Sequence, residues 1–183
     1  MLFKSLPLAG AYKIDVEPFS DHRGSFARLF CVKELKEIGL EKSLRQINFS
    51  STLKAGTIRG MHYQKPPHAE VKIVRCIKGK VFDVVVDLRF DSPTFLHWHG
   101  EILSRENMRG IYIPEGFAHG FQVLEPESEL IYLHTADYSP GFEGAVRYDD
   151  PCIGIEWPLE VTDISERDLQ HPLVDNDFEG IKL

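Results

Sequence analysis

Val71-Lys72-Ile73-Val74-Arg75-Cys76-Ile77, then Lys78-Gly79-Lys80, then Val81-Phe82-Asp83-Val84-Val85-Val86-Asp87-Leu88: this stretch decides the fold class. Both flanks are rich in β-branched residues, which pack well on a pleated surface, and Lys-Gly-Lys reads as the turn between them. Working outward, further strands fit residues 110–113, 120–124 and 130–136, with turn residues between. One helix is expected near 32–38, with Gly39 as its stop. Many short strands at such spacing predict an all-β sandwich or barrel, with short helices at its ends.

Alternation along the strands sorts the side chains by face. Lys72 shares a face with Val74 and Cys76. On the strand alone two placements stay open. Lys72 could lie on an edge strand and reach water, or it could point into the barrel, where it needs an anion. Tyr132, His134 and Tyr138 also share one parity, which by itself reads as aromatic core packing.

Size and composition bound the rest. At 183 residues, with 43% hydrophobic and 27% charged residues, the chain suits one soluble domain spanning 1–183. No apolar run approaches a bilayer-spanning length, so no membrane association is expected. The start, MLFKSLPLAG, has one Lys, and Pro7 cuts its apolar stretch short. That is too little for a signal-peptide core, so a cytoplasmic location is expected. Cys31, Cys76 and Cys152 are odd in number and widely spaced, which fits reduced thiols rather than disulfides or a zinc site. A net charge of −7 opposes nucleic-acid binding, so an anionic small ligand would need a local basic pocket.

Three clusters carry chemistry. The first is Gly56-Thr57-Ile58-Arg59-Gly60-Met61-His62-Tyr63-Gln64 with Pro66-Pro67-His68 after it. The second runs from Ile113-Pro114-Glu115-Gly116 through Phe117-Ala118-His119-Gly120-Phe121, and the third is Ser165-Glu166-Arg167-Asp168. The first two resemble the paired motifs of cupins. Metal-binding cupins present a His-x-His pair from alternate strand positions, whereas this chain has His62-Tyr63-Gln64. His62, Glu70 and His119 would make only a weaker ligand set, so no metal is expected. His97-Trp98-His99 with Glu101 puts two imidazoles and a carboxylate on one strand face, read as a solvated face.

The sequence as a whole resembles the dTDP-4-dehydrorhamnose 3,5-epimerase family, over almost the full chain. The ordered elements are Asp21-x-Arg23-Gly24-x-Phe26, Gln46-x-Asn48-x-Ser50, Arg59-Gly60-x-His62-x-Gln64, Lys72-x-Val74-Arg75 and Asp87-x-Arg89. They continue with Ser92-Pro93-Thr94, Pro114 to Phe121, Tyr132, Tyr138, Asp149-Asp150-Pro151, Gly154-Ile155-x-Trp157-Pro158 and Ser165-x-x-Asp168. The resemblance implies a cupin (jelly-roll) β-barrel with a few short helices, and a homodimer with exchanged N-terminal strands. It implies an isomerase that epimerises carbons beside the C4 ketone of a nucleoside-diphospho-4-keto-6-deoxyhexose, without a cofactor.

The same resemblance assigns roles. His62 is the base, Asp168 orients it, Lys72 stabilises the enolate oxygen, and Tyr132 returns a proton on the far face. Arg23, Phe26, Gln46, Asn48, Arg59, His119 and Tyr138 match substrate-binding positions, some of them donated by a partner subunit. Strand parity puts Arg59 and His62 on opposite faces, and Gly60 between them is a natural place for a bulge that re-aims one.

Two departures matter. Arg28 stands where dTDP-specific members usually carry an acidic residue, which raises a CDP-linked substrate as an alternative. Glu70 stands where many carry Gln. A mono-epimerase is a further alternative. From other classes the rivals are a metal-dependent cupin oxygenase and a non-catalytic sugar-binding cupin. Asp87 and Arg89 also read as a structural pair.

Overall fold

The computed structural model describes residues 1–175 and 177–183. Two antiparallel sheets form the body. One has the strand order β1 (Leu2–Ser5), β2 (Tyr12–Asp15), β10 (Gly110–Ile113), β7 (Lys72–Lys78), β12 (Ser128–His134), β5 (Gln46–Thr52). The other runs β13 (Glu143–Ala145), β6 (Ile58–Gln64), β11 (Phe117–Val123), β8 (Lys80–Asp87), β9 (Trp98–Ser104). A separate hairpin pairs β3 (Phe19–Asp21) with β4 (Gly24–Phe26). Two short helices complete the set: α1 (Val32–Leu35), continued by a 3-10 turn over Lys36–Ile38, and α2 (Glu166–Leu169). This is the cupin double-sheet barrel that the resemblance implies.

The Lys78-Gly79-Lys80 turn exists but does not close a hairpin. β7 lies between β10 and β12, whereas β8 lies between β11 and β9, so the chain changes sheet at Gly79. The expected helix forms only as α1 and its 3-10 extension, ending at Gly39 with φ 96°. β11 starts at Phe117, earlier than read, because Phe117 and Ala118 pair with Asp87 and Val86 of β8.

Three apolar layers hold the barrel together. Between the sheets, Val74, Cys76 and Leu130 meet Val81, Val85, Phe117 and Phe121. Behind the five-stranded sheet, Met61, Val84, Val86 and Ala118 pack under the C-terminal segment through Ile153, Trp157 and Ile181. Behind the six-stranded sheet, Ile14, Ile73, Tyr112 and Leu133 pack under Leu35 and Leu40. Burial on both faces explains why Val84-Val85-Val86 is an uninterrupted apolar run. Among the described residues no helix is long and apolar enough to cross a membrane.

Candidate active site

A cleft of about 540 Å³ opens between the sheets, and the first and third sequence clusters meet there. His62 comes from β6. Facing β11, His62 pairs with His119 and Arg59 with Phe121, so Gly60 and Met61 together oppose Gly120 alone. This is a bulge, and it brings Arg59 and His62 into one cleft despite their parity. Only glycine fits at its centre: Gly60 has φ 134°, and a Cβ there would lie 2.5 Å from the Gly120 Cα.

Asp168 reaches His62 from α2. The Ser165 hydroxyl caps that helix by accepting the Asp168 N–H at 3.1 Å. One Asp168 oxygen lies 2.7 Å from His62 Nε2, and the other accepts the Gly60 N–H at 3.3 Å. Burial pushes the Asp168 carboxyl up, but the hydrogen bond and charge of His62 and the Gly60 N–H outweigh it, so its pKa stands below the usual range. An ionised Asp168 accepts Nε2–H, which leaves the imidazole lone pair on Nδ1.

Lys72 is only 8% exposed on a central strand, which removes the edge-strand placement. Its ammonium donates to the His62 carbonyl at 3.2 Å and meets Glu70 at 3.2 Å. Glu70 also accepts from His134 Nδ1 at 2.9 Å and from the Gln64 amide at 3.4 Å. Burial raises the Glu70 pKa, but His134 and Lys72 together hold it below its ordinary value. The inward Lys thus has its anion.

Tyr132 sits on β12, in the sheet opposite His62. Its hydroxyl is 2.9 Å from the Ser50 hydroxyl, and burial drives its pKa far up, so it remains a proton donor at neutral pH. His119 lies edge-on to the Tyr132 ring, at 6.0 Å between centroids. Its Nε2 is 2.9 Å from Asp83, a fully buried carboxyl whose pKa burial raises. Base and acid candidates therefore stand on opposite walls of one cleft.

Residues 5–176 match the family model described as dTDP-4-dehydrorhamnose 3,5-epimerase. The chain belongs to this family. A dTDP-4-dehydrorhamnose 3,5-epimerase of Salmonella typhimurium (strain LT2) is 43% identical over 164 residues, covering 88% of this chain and 89% of the relative. The solved dTDP-6-deoxy-D-glucose-3,5-epimerase of Legionella pneumophila, in complex with dTDP-4-keto-L-rhamnose, superposes with TM-score 0.89 at 38% identity. That alignment covers 94% of this chain and 92% of the other. A 3'-monoepimerase of Streptomyces bikiniensis, in complex with dTDP-quinovose, gives TM-score 0.85 at 31% identity, covering 92% and 85% of the two chains. Family membership makes this chain an isomerase of the epimerase class.

The epimerase cleft takes in some of the remaining expected residues and not others. Asn48 and Arg59 line it, while Gln46 and Tyr138 line an adjoining side pocket of about 180 Å³. The Tyr138 N–H donates to the Gln46 side chain at 2.6 Å. Arg59 donates to the Thr52 hydroxyl at 2.9 Å and to the Ser51 carbonyl at 3.3 Å, and among the described residues it has no carboxylate partner. Arg23, Phe26 and Arg28 lie outside the cleft of their own chain. Arg23 pairs with Asp21 at 2.6 Å, and Phe26 is exposed on the β3–β4 hairpin. Arg28 pairs with Glu34 at 2.6 Å. The N-terminal ammonium, then Arg28, brings the Glu34 pKa down to about 2.

Glu70 and His119 are engaged elsewhere and do not join His62 as a ligand set. Glu101 pairs with Arg109 at 3.0 Å and Lys13 at 3.3 Å, so the His97–His99 face is an ion-paired strand surface. Asp87 accepts from Arg89, Ser92 and Thr94, a structural knot at the end of β8.

Two residues that lie behind the cleft lining, in contact with His119 and beside Asp168, escaped the sequence reading. Asp83 gave a signal, a lone carboxylate on the inward parity of a β-branched run. His171 gave none; its Nε2 lies 3.8 Å from Asp168 in the corner behind His62.

Proposed function

We propose that the chain epimerises a dTDP-linked 4-keto-6-deoxyhexose at both carbons beside the C4 ketone, C3 and C5. One observation carries this reading: His62 and Tyr132 come from opposing sheets onto one cleft. Inversion needs a base on one face of a ring and an acid on the other. His62 Nδ1 takes the α-proton, and Asp168 stabilises the resulting imidazolium. Negative charge moves to the C4 oxygen, where the Lys72 ammonium stabilises the enolate. Tyr132 then returns a proton on the opposite face, with Ser50 at hand to accept from or donate to its hydroxyl. C3 and C5 flank the same ketone, so one base and one acid serve both. Greater identity to 3,5-epimerases than to the monoepimerase supports double inversion.

Arg59, with no carboxylate partner among the described residues, suits the diphosphate, and Gln46, Asn48, His119 and Tyr138 suit the sugar and nucleoside. Arg23, Phe26 and Arg28 fit the resemblance only if a partner's hairpin reaches this cleft. A homodimer with exchanged N-terminal strands is supported by the apolar surface left open. Phe19 and Phe26 of the hairpin are 80% and 75% exposed, and Ile47 and Phe49 on edge strand β5 are also bare. Arg28 is turned to Glu34, outside the cleft of its own chain, and the relatives bound to dTDP-sugars support a thymine nucleotide. The expected setting is the cytoplasm.

The test is incubation with dTDP-4-keto-6-deoxyglucose in deuterated water. Proton NMR should locate deuterium at C3 and C5 of an inverted product. Uptake at C3 alone would make the chain a monoepimerase, and no uptake with any 4-keto sugar nucleotide would refute the reading.

A further inference from the structure

We propose that His62, Asp168 and His171 form an inhibitory binding site for a divalent transition metal, zinc fitting best, that switches off the base. The inference rests on the reading of His62 as base for its consequence, but not for the site itself. The donor atoms of the three residues lie within 4.8 Å of one another. Among the described residues His171 Nε2 is buried without any hydrogen-bond partner, and at 3.8 Å it stands too far from Asp168 to make one. A buried imidazole nitrogen left unpaired calls for a physical reason, and a third ligand is one.

Geometry and donor chemistry agree. Tetrahedral zinc bound at about 2.0–2.1 Å keeps its ligand atoms about 3.3 Å apart. The His62–Asp168 and Asp168–His171 separations, 2.7 and 3.8 Å, straddle that value. Two imidazoles and one carboxylate suit zinc and its neighbours, whereas magnesium and calcium want oxygen donors. The local charge favours a cation, since Arg167 is taken up by Glu143 at 2.8 Å and Asp168 remains. The three ligands leave a fourth position to water.

Inhibition follows from the tautomer. The metal takes the place of the proton on His62 Nε2, and solvent supplies one proton to Nδ1 as the Nε2 proton leaves, so the ring stays neutral. A neutral imidazole with its Nε2 lone pair on a metal carries its remaining proton on Nδ1. That nitrogen then has no lone pair for the substrate's α-proton. His171 does not line the cleft, so its removal isolates the metal effect.

The experiment is calorimetric titration of the full chain with zinc chloride, without substrate. Wild type should bind one zinc per chain at this site, and magnesium should not compete. His171→Ala should weaken the affinity by about a hundredfold, at least the scale for losing a ligand's supporting contact. His171→Gln controls for packing and should weaken it likewise. In the deuterium-exchange assay zinc should inhibit wild type over its binding range, and a chelator should restore the rate. His171→Ala should keep the zinc-free rate and lose the sensitivity. No binding by wild type, or wild-type affinity in both variants, overturns the site. Since the titration uses no substrate, it stands or falls separately from the epimerase reading.

Discussion

Asp168→Asn should damage the enzyme more than Asp168→Ala, although it is the smaller change. In the native site one carboxylate oxygen faces the His62 Nε2–H at 2.7 Å and the other faces the Gly60 N–H at 3.3 Å. Both neighbours are donors, and a carboxylate can accept from both. An asparagine has a single oxygen. Gly60 is backbone, fixed in the bulge, so the amide oxygen must turn to it and the NH2 must face His62. His62 then has to present an Nε2 lone pair and carry its proton on Nδ1, the wrong tautomer for a base. Alanine removes the same charge but leaves the tautomer free. Losing a charge-assisted hydrogen bond costs about 1.5–3 kcal/mol, or about ten- to hundredfold in rate, which is the expectation for alanine. A base held in the wrong tautomer loses about 10⁴-fold, the expectation for asparagine. Deuterium uptake beside the ketone, followed by NMR, gives both rates, and thermal melts check that both variants fold. An asparagine variant as active as the alanine variant, or more so, would refute the tautomer argument.

Four further outcomes are expected. Tyr132→Phe should keep proton exchange while net inversion falls sharply, because the base can return its proton to the original face; wild-type inversion would remove Tyr132 from the acid's role. Lys72→Met should lower kcat by about a hundredfold or more, the scale for one oxyanion donor, and a near-neutral change would end the enolate assignment. Gly60→Ala should destabilise by about 2–3 kcal/mol or more, since the new methyl meets the Gly120 backbone and not a yielding side chain; an unchanged melting temperature would contradict this. Burial pushes the Asp87 carboxyl up, yet Arg89, Ser92 and Thr94 hold it below its ordinary range. Its stabilisation is complete above the unfolded value of about 3.9 and lost as pH falls through the lower folded value. Melts of Asp87→Asn should therefore start lower at neutral pH and fall less steeply in acid; a slope parallel to wild type would exclude the effect.

The β class was legible because it is written locally. Runs such as Val81 to Leu88 are apolar and β-branched residue by residue, and the glycine and proline turns between strands need no distant partner. The family resemblance also pointed to His62, Lys72, Tyr132 and Asp168, and Gly60 alone hinted at the bulge that unites Arg59 with His62. Short polar strands such as Phe19–Asp21 were not legible, since nothing in three residues separates them from loop until a partner strand pairs with them. Nor was the change of sheet at Gly79, because a turn does not say which strand its exit will join. Lys72 looked equally like an edge or an inward residue until the strand order made β7 central. His62 and Asp168 lie 106 residues apart, and Asp83 and His119 lie 36 apart. The sequence by itself determined which residues favour strands and turns and which could do proton chemistry. Sheet order, register and the packing of α2 decided which of them meet, because side-chain convergence is a property of closed long-range contacts, and no local pattern records it.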